Sequence, residues 1–484
     1  DGGKSMTSAK ADFVHLHVHT TYSLLDSTLH LSDIFKKAKE YQMPAITMTN
    51  HGNLFGAIEF YQQAQKAGIK PIIGCELYVA PSSRFDKFPL GIGESSYHLI
   101  VLVKNMQGYK NLLKLSTTGY LEGFYYHPRV DKELLQLYHE GLIATSACMH
   151  GEVASYLLRG DREAAIKAAL EYKDIFGEGN FYLEIMENGL PEQKIINNGV
   201  LEISRLLSIP VVATNDCHYL KADDEEAYEV LQCIQTGKTL KDYKQIYHKT
   251  NQLYLRSPTE MKSLFSYCPK AISNTVLIAD NCNLSLELGC FQSSQFQLKD
   301  GCITDKDLVK IAYEELIRML PSTDTCLSKE RRNYFIRYLT DKYGIDHVAK
   351  IITFRKMRAK SAILYVGQAL GIPYADVITI AKMVPADQII SLDDIFSKKS
   401  HFRDAARKSE IIEKLLSISW ALKGLILHTT TKTSHMVISN MSLFDIIPLY
   451  RSHDGYPVSQ YSINDLQKLG LSIFKIPHSI RQMT

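Results

Sequence analysis

The chain has 484 residues, of which 45% are hydrophobic and 22% charged, and this composition excludes a disordered or fibrous protein. Lys+Arg (55) and Asp+Glu (52) nearly cancel, so the overall charge does not indicate a nucleic-acid partner and any basic binding surface must be local. The nine cysteines are odd in number and no apolar run could cross a bilayer, so we expect a cytoplasmic protein with reduced thiols and no membrane partner.

Short apolar runs alternate with helical patterns from Phe13 to about Leu220. In chain order the predicted elements are strand Phe13–His19, a helix capped by Ser32 and ended at Met43, strand Ala45–Thr49, helix Leu54–Ala67, strands Pro71–Ile73, His98–Val103 and Gly141–Ser146, helix Arg162–Phe176, strand Phe181–Ile185, helix Gln193–Leu207 and strand Val211–Asn215. This alternation predicts a parallel α/β sheet or barrel. Ligands of such folds bind at the carboxyl ends of the strands.

A helical region, roughly Asp223–Leu286, is expected to close this half, and the Gln- and Ser-rich stretch Cys290–Asp305 is the candidate boundary. We therefore divide the chain into residues 7–286 and 287–484. The second part is predicted to contain the helices Leu308–Leu320 and Ser328–Tyr343, with Gly344 as the stop of the latter. Short strands are predicted at His435–Ile438 and Ser472–Ile476.

Three histidines occupy alternate positions of the first predicted strand. His15, His17 and His19 point the same way because side chains two residues apart share a face of a strand, so two or more of them can reach one metal ion. The same spacing places Asp216 and His218 on one face. Five further candidate ligands, each just after a strand, are Asp26, His51, Glu76, His98 and Cys148. Imidazole, carboxylate and thiolate together suit zinc, manganese or iron.

A single histidine at a strand end is more often a hydrogen-bonded structural group than a ligand. The nine candidates other than His15, at successive strand ends, favour a metal site instead. His15 lies at the start of its strand, which leaves a supporting role and a purely structural role both open. We interpret Cys75 and Cys217 as ordinary buried thiols.

The residues around these positions closely resemble the PHP domain of bacterial DNA polymerase III alpha subunits. The resemblance rests on residues 15–20 with 22–26, and on residues 49–56, 74–78, 97–102, 146–148 and 213–219. It implies a PHP-type distorted seven-stranded (β/α) barrel with three metals at its mouth. The implied ligand sets are His17, His19, Glu76 and Asp216 for one metal, Glu76, His98 and Cys148 for a second, and Asp26, His51 and His218 for a third. Asn50 stands where the family usually has Asp, a departure expected to weaken the support of His51.

Two or three divalent ions in such a site can ionise a water molecule and hold phosphate oxygens, so no protein nucleophile is needed. In the family, this centre is associated with 3′→5′ exonuclease proofreading. The resemblance therefore implies metal-dependent hydrolysis of phosphoester bonds at DNA 3′ ends, single-stranded or in a primer–template, with replication or repair proteins as partners. Asp26, Glu76 and Asp216 are the candidate catalytic carboxylates, and the proton-transfer role among them stays open.

The second half resembles the polymerase palm and thumb of the same family at residues 331–354, 366–374 and 448–466. We therefore expect an α+β remnant of that region. Nucleotide addition needs paired carboxylates that hold two Mg²⁺ ions. The corresponding stretch, Pro321–Leu327, keeps one carboxylate, Asp324, which we interpret as a solvated turn residue, and the later family Asp aligns best with Lys475. The phosphate-cradling Gly-Ser-rich segment is missing as well, so the sequence predicts a polymerase-dead paralogue.

One basic stretch could follow a phosphate backbone. Arg355, Lys356, Arg358 and Lys360 are the candidate DNA-binding residues because the family places this region near the primer–template. A solvated helix face explains such a run equally well.

Three other functions stay open beside the nuclease. The chain could be a non-catalytic accessory protein that binds DNA or a partner, or an active replicative polymerase as the family name implies. A small-molecule phosphatase, like the stand-alone PHP enzyme histidinol-phosphate phosphatase, is disfavoured because a small substrate does not require a palm-like second half.

Overall fold

The computed structural model describes residues 10–87, 95–246, 250–289, 296–298, 301–303, 305–319, 329–384 and 409–476. The stretch Pro321–Leu327 with Asp324, and most of the boundary stretch 290–305, lie outside these residues. In the described part of the chain, no helix is both long and apolar enough to cross a membrane.

The first half forms a curled seven-stranded sheet with helices around it. Its strands are β1 Ala45–Met48, β2 Lys70–Val79, β3 Tyr97–Val103, β4 Arg129–Val130, β5 Leu142–Thr145, β6 Phe181–Met186 and β7 Val211–Thr214. The order is β1-β2-β3-β5-β6-β7, with β4 pairing with β2. The prediction of a parallel α/β sheet or barrel is wrong for one strand, because β3 runs antiparallel to both of its neighbours, β2 and β5, while the other pairs of this sheet are parallel.

The helices of this half are α1 Leu31–Glu40, α2 Ala57–Ala67, α3 Met106–Leu121, α4 Lys132–Tyr138, α5 Glu152–Leu158, α6 Arg162–Phe176, α7 Pro191–Leu207, α8 Glu225–Thr236, α9 Leu240–Ile246, α10 Pro258–Leu264 and α11 Pro269–Asn281. The structure confirms α6 at its predicted bounds. Ser32 is not the cap of α1, because the helix already begins at Leu31 with His30 in the cap position.

The predicted strand Phe13–His19 is reduced to a single bridge at Val18. This short contact nevertheless closes the barrel. On one side the Thr49 N–H donates to the Val18 carbonyl (2.9 Å), and on the other the Cys217 N–H donates to the His17 carbonyl (3.1 Å). The histidine segment therefore lies between the ends of β1 and β7.

The second half contains a five-stranded sheet of order β12-β13-β10-β11-β14, and a separate hairpin of β8 and β9. Its strands are β8 Phe296–Leu298, β9 Gly301–Ile303, β10 Val348–Lys356, β11 Ile426–Ile438, β12 Leu449–Arg451, β13 Pro457–Ser459 and β14 Ile473–Lys475. Its helices are α12 Asp305–Met319, α13 Lys329–Tyr343, α14 Ala359–Ala369, α15 Tyr374–Met383, α16 Glu410–Leu422 and α17 Ile463–Lys468. Gly344, with φ +100°, follows α13 as the expected stop.

The two halves share one hydrophobic core that includes residues of the barrel and of the five-stranded sheet. The Tyr109 hydroxyl on α3 meets the Tyr461 hydroxyl at 2.6 Å. Gln460 accepts a hydrogen bond from the Leu54 N–H (2.9 Å) and donates to Ser116 (2.9 Å). The division at residue 286 therefore stays a prediction, and it does not separate two independent cores.

Candidate metal centre

His17 and His19, in the histidine segment that closes the barrel, face the residues that follow β7. Asp216 Oδ1 lies 3.1 Å from His17 Nε2 and 3.3 Å from His19 Nε2. Asp216 has φ +48°, a conformation that residues other than glycine rarely adopt. Such strain persists where the surrounding structure fixes it, and here it directs the carboxylate toward the two imidazoles.

Glu76 lies at the centre of the cluster and is 1% exposed. Four imidazoles surround it, with contacts of 3.5 Å to His17, 3.3 Å to His19, 2.6 Å to His51 and 2.9 Å to His98. Burial alone would raise the pKa of the Glu76 carboxyl, but His98 and His51 hold it well below its usual range. Glu76 therefore stays ionised and can bind a cation.

Glu76 and His98 do not follow their strands as predicted. Glu76 lies within β2, and His98 is the second residue of β3. Both still reach the mouth. Because β3 runs antiparallel to β2, its beginning lies at the edge of the sheet where the parallel strands end. Cys148 completes this side, with its sulfur 3.8 Å from His98 Nδ1 and 3.9 Å from Glu76 Oε1.

Asp26 and His51 form the outer part of the cluster. Asp26 Oδ2 lies 2.9 Å from His51 Nε2, and its Oδ1 accepts hydrogen bonds from Tyr228 (3.1 Å) and Gln232 on α8. Burial would lower the pKa of His51, but Glu76 and Asp26 raise it to about 10. The loop that carries Asp26 is thus tied to a helix of the outer layer.

His218 stacks on His19, with ring centroids 4.3 Å apart. Its Nδ1 lies 2.8 Å from the Asp216 carbonyl oxygen, which can only accept a hydrogen bond. The proton of a neutral His218 is therefore on Nδ1, and Nε2 keeps its lone pair for a ligand.

The cluster is short of hydrogen-bonding partners. Among the described residues, His51 Nδ1 and Nε2, Glu76 Oε2 and Asp216 Oδ1 are buried without any hydrogen bond of good geometry. At these atoms the close nitrogen–oxygen distances are therefore not hydrogen bonds of good geometry, whereas His98 Nδ1 and Glu76 Oε1 do form one at 2.9 Å. Three triads have ligand atoms within 4.8 Å of one another, namely His17, His19 and Glu76; His19, His51 and His218; and His51, Glu76 and His98. This arrangement fits metal ions.

The triads divide the ligands differently from the sets implied by the family. The structure groups His51 and His218 with His19, whereas the resemblance implies Asp26 as the third ligand of that set. Asp26 adjoins this triad through His51, and Cys148 adjoins the third through His98. All nine predicted ligands lie at one mouth of the barrel, and their assignment to individual metals stays a prediction.

Sequence reasoning missed Glu184, a buried carboxylate behind the cluster. Its Oε2 lies 3.2 Å from His17 Nδ1 and accepts a hydrogen bond from Thr214 (2.6 Å), while Oε1 accepts one from Thr145. The carboxylate therefore orients His17 with Nε2 toward the mouth. The available signal was a lone acidic residue within the fully buried strand β6.

Ser23 has the equivalent role for His19. Its hydroxyl lies 2.9 Å from His19 Nδ1 and donates to Asn50 Oδ1 (3.0 Å). Asn50 also accepts from the Thr20 N–H (2.8 Å), while its own amide nitrogen has no hydrogen-bond partner among the described residues. Asn50 thus supports His19 through Ser23. The Ser23 hydroxyl also accepts a 3.3 Å bond from the His51 N–H, so Asn50 is linked to His51 through Ser23, and the expected weakening of the support of His51 stays a prediction.

The remaining sequence candidates lie outside the mouth. His15 Nε2 lies 2.8 Å from the Arg256 carbonyl oxygen, to which it donates, and His15 Nδ1 lies 3.5 Å from the Cys217 sulfur. Cys75 donates to the Asn50 carbonyl (3.3 Å). Cys75 and Cys217 are both buried free thiols.

The basic stretch is exposed and begins near the mouth. Arg355 and Lys356 end β10, and Arg358 and Lys360 begin α14. None of the four forms an ion pair with a described residue. The neighbouring Phe354 ring contacts Tyr22 at 5.3 Å, three residues after His19. Lys475 lies exposed on β14.

Comparison with known families gives two matches. The PHP domain family matches residues 15–188, and the family described as bacterial DNA polymerase III alpha NTPase domain matches residues 317–476. Asp216 and His218 lie beyond the first match, yet they face its histidines across the mouth.

DNA polymerase III subunit alpha of Borreliella burgdorferi is 35% identical over 96% of this chain and 48% of its own length. The subunit of Treponema pallidum is 33% identical over 96% of this chain and 47% of its own length. A two-domain protein of Bacteroides vulgatus, described as containing a predicted PHP-like metal-dependent phosphoesterase, covers 59% of this chain and 75% of its own at 13% identity and a TM-score of 0.27. The chain belongs to the bacterial DNA polymerase III alpha family, and it spans about half the length of the curated relatives it matches.

Proposed function

We propose that this chain is a metal-dependent phosphoesterase that hydrolyses phosphoester bonds at DNA ends, as a 3′→5′ exonuclease or a 3′-end-processing enzyme. One observation carries the proposal. Nine side chains of the ligand types converge at one mouth of a PHP barrel, with buried polar atoms that lack hydrogen-bonding partners in the described part of the chain. A fold tolerates such atoms where a ligand completes their bonding.

Two or three divalent ions would be held by His17, His19, Asp26, His51, Glu76, His98, Cys148, Asp216 and His218, with zinc, manganese or iron as candidates. When bound, such ions supply an ionised water and positive charge beside the phosphate. The anionic state of the carboxylates supports this role. Neighbouring histidines lower the pKa of Asp216 against the effect of burial.

The chain's own residues orient the site and move the proton. Glu184 and Ser23 hold the Nδ1 atoms of His17 and His19, so that each Nε2 faces the mouth. Asp26 lies at the partly exposed rim with one oxygen held by α8. A rim carboxylate can pass a proton between a substrate oxygen and solvent, which makes Asp26 the first candidate before Glu76 and Asp216.

We further propose that nucleotide addition has been lost. Only one carboxylate, Asp324, lies in the stretch that corresponds to the family's catalytic strand. The later Asp of the family aligns best with Lys475, whose ammonium group cannot bind Mg²⁺. The match to the Borreliella burgdorferi subunit extends over 552 residues, more than the 484 of this chain. The relative therefore carries segments without a counterpart here.

The decisive experiment measures nucleotide release from labelled single-stranded and mismatched-primer DNA, combined with metal analysis of the same preparation. We expect release that requires Mn²⁺ or Zn²⁺ and is lost in His17→Ala and in Asp216→Ala. His453→Ala, which removes an exposed imidazole of the second half, is the matched control and should keep full activity.

Release that survives both ligand substitutions would exclude the barrel mouth as the active site. Bound metal without any hydrolysis would favour the non-catalytic accessory protein. Primer extension with all four nucleotides tests the polymerase alternative directly, and we expect no extension.

A further inference from the structure

The loop between α3 and β4 exposes two aromatic rings beside the barrel mouth. We call residues 123–128 the aromatic tip. Phe124 is 50% exposed and Tyr126 is 49% exposed. Isolated exposed apolar side chains are common on soluble proteins and need no explanation by themselves. Here, however, the backbone and the position of the loop set these rings apart.

The aromatic tip is built on a strained turn. The Tyr125 N–H donates to the His127 carbonyl (3.0 Å), so Tyr126 forms the apex, with φ +59°. Bulky residues rarely adopt this left-handed conformation, which strains the backbone. Glycine would satisfy the turn without that cost. The fold therefore retains a strained tyrosine where a ring points into solvent.

A buried arginine fixes the base of the aromatic tip. The Arg129 guanidinium lies 5.0 Å from the Tyr125 ring centroid and donates to the Gly123 (3.1 Å) and Asp86 (2.7 Å) carbonyls. The loop thus has a rigid foundation, and its exposed rings are held in place before any ligand arrives.

The aromatic tip also contacts the metal ligands through one side chain. His127 stacks on Tyr78, with centroids 4.2 Å apart and planes 13° apart. Tyr78 in turn stacks on His51 at 6.0 Å and meets His98 edge-on at 5.1 Å.

The glycine that follows His51 provides a second contact. A Cβ on Gly52 would come within 2.8 Å of Pro128 Cγ, so this end of the aromatic tip packs directly on the loop that carries His51. The tip therefore forms part of the rim of the mouth.

We propose that Phe124 and Tyr126 stack on nucleobases at the end of a single-stranded nucleic acid whose terminal phosphoester enters the metal site. Flat exposed rings suit bases of any sequence, because every base has a π-face and stacking tolerates all of them. The inference rests on the proposed function for the identity of the reaction. It adds that the substrate is unpaired at the site, since a paired base is stacked within its own helix.

The first test measures stacking without hydrolysis. The full-length chain, loaded with Mn²⁺, is titrated into a single-stranded oligodeoxynucleotide with a 3′-terminal 2-aminopurine and a non-hydrolysable phosphonate as its last linkage. We expect strong quenching of 2-aminopurine fluorescence. The double variant Phe124→Leu/Tyr126→Leu, which keeps apolar bulk without flat rings, should abolish the quenching and raise Kd about 10-fold, or ~1.4 kcal/mol.

Tyr374→Leu is the matched control, because it removes a 71% exposed ring at the start of α15 and should change neither quenching nor Kd. If the double variant folds poorly, Tyr126→Gly removes one ring while relieving the positive φ, so a stable protein is expected. Unchanged quenching and Kd in these tip variants would overturn the proposal, and the rings would then be available to a protein partner instead.

The second test separates this inference from the proposed function. Hydrolysis is compared on oligodeoxynucleotides that end in a normal nucleotide or in an abasic residue. We expect the abasic end to raise KM about 10-fold in the wild type with little change in kcat, and the double variant to show no such preference. Quenching without hydrolysis of either end would refute the nuclease and leave stacking intact, whereas equal hydrolysis by wild type and double variant would refute stacking alone.

Discussion

Both halves of the chain bury polar side chains, but the barrel mouth brings several buried atoms of metal-ligand type together without hydrogen bonds to other described residues. In the second half, Lys350 is 2% exposed, forms an ion pair with Asp454 and lies 4.8 Å from the centroid of the Tyr456 ring. Gln460 accepts from the Leu54 N–H and donates to the Leu449 carbonyl (3.0 Å). These groups hold the sheet together and attach it to the barrel.

At the barrel mouth, the buried atoms of His51 and Glu76 lack such partners among the residues that the structure describes. A buried polar atom without a hydrogen bond costs about 1–3 kcal/mol, and several lie within one cluster. The contrast teaches that burial of polar groups alone does not mark a site. Incomplete bonding of several ligand-type atoms within one cluster does, because a bound cation would complete it.

The contrast is tested most severely at Glu76. Glu76→Gln removes the charge shared by four imidazoles while nearly preserving size. We expect the loss of at least one bound metal per chain and a fall in the hydrolysis rate of more than about 100-fold. Substitution of a residue that only supports a ligand typically costs about 10–100-fold, and Glu76 is itself a candidate ligand. Metal analysis by mass spectrometry and the nucleotide-release rate measure the two effects.

Glu133→Gln provides the matched control, because this carboxylate is largely exposed and its ion pair is with Arg84, which is not a candidate ligand. It should change neither metal content nor rate. Full metal occupancy in Glu76→Gln would mean that the central carboxylate is structural, and the difference between the two halves would then have no functional meaning.

A smaller effect is expected one layer behind the ligands. Glu184→Gln keeps the shape of the side chain that orients His17 but replaces an acceptor oxygen with an amide donor facing threonine hydroxyls. We expect metal affinity to fall by about 10–100-fold, with full occupancy recovered at high metal concentration. Competition against a fluorescent chelator measures the affinity, and an unchanged Kd would show that His17 is oriented by packing alone.

Much of this site could be predicted from sequence because its residue types are rare at strand ends. The nine predicted ligands were recognisable from spacing and family resemblance, and all of them reach the mouth. Glu184 was not, since it lies inside a buried strand and acts through His17. A carboxylate in that position is indistinguishable, before the partners are known, from one that pairs elsewhere in the core.

The fold was predictable where local periodicity decides it, as in Arg162–Phe176. Pairing direction was not. The reversal of β3 depends on the connections on either side of it, and no residue of Tyr97–Val103 signals it. The histidine segment failed as a strand for a related reason, because its backbone bonds are long-range contacts to β1 and β7 rather than a regular ladder.

The exposed basic stretch of the second half differs from the barrel mouth, because its charged groups face solvent whereas the polar atoms of the mouth are buried. If Arg355, Lys356, Arg358 and Lys360 contact phosphates, replacing all four by alanine should weaken binding of single-stranded DNA. It should also reduce the slope of log K against log salt by about 0.7 for each phosphate that is no longer neutralised. Fluorescence anisotropy between about 50 and 200 mM salt, a range suggested by that dependence, measures both.

The control for net charge removes four exposed lysines of the helices α2, α3, α6 and α7 in the variant Lys66→Ala/Lys110→Ala/Lys167→Ala/Lys194→Ala, which should leave the slope unchanged. Equal slopes in the quadruple variant and the wild type would identify the basic stretch as a solvated face. The second half would then act on the barrel through packing alone.

The smallest expected effect concerns the shared core. Tyr461→Phe deletes one of two buried hydroxyls that meet at 2.6 Å and leaves the Tyr109 hydroxyl without that partner. We expect the free energy of unfolding to fall by about 1 kcal/mol, whereas Tyr109→Phe/Tyr461→Phe should recover part of that stability because neither hydroxyl is then left unpaired. Urea denaturation followed by circular dichroism measures the change, with Tyr334→Phe, an exposed tyrosine of α13, as the control.

A single transition shifted in Tyr461→Phe is expected if the barrel and the five-stranded sheet unfold as one unit. Two separate transitions, with only the unfolding of the five-stranded sheet affected, would show that the sheet can unfold while the barrel persists.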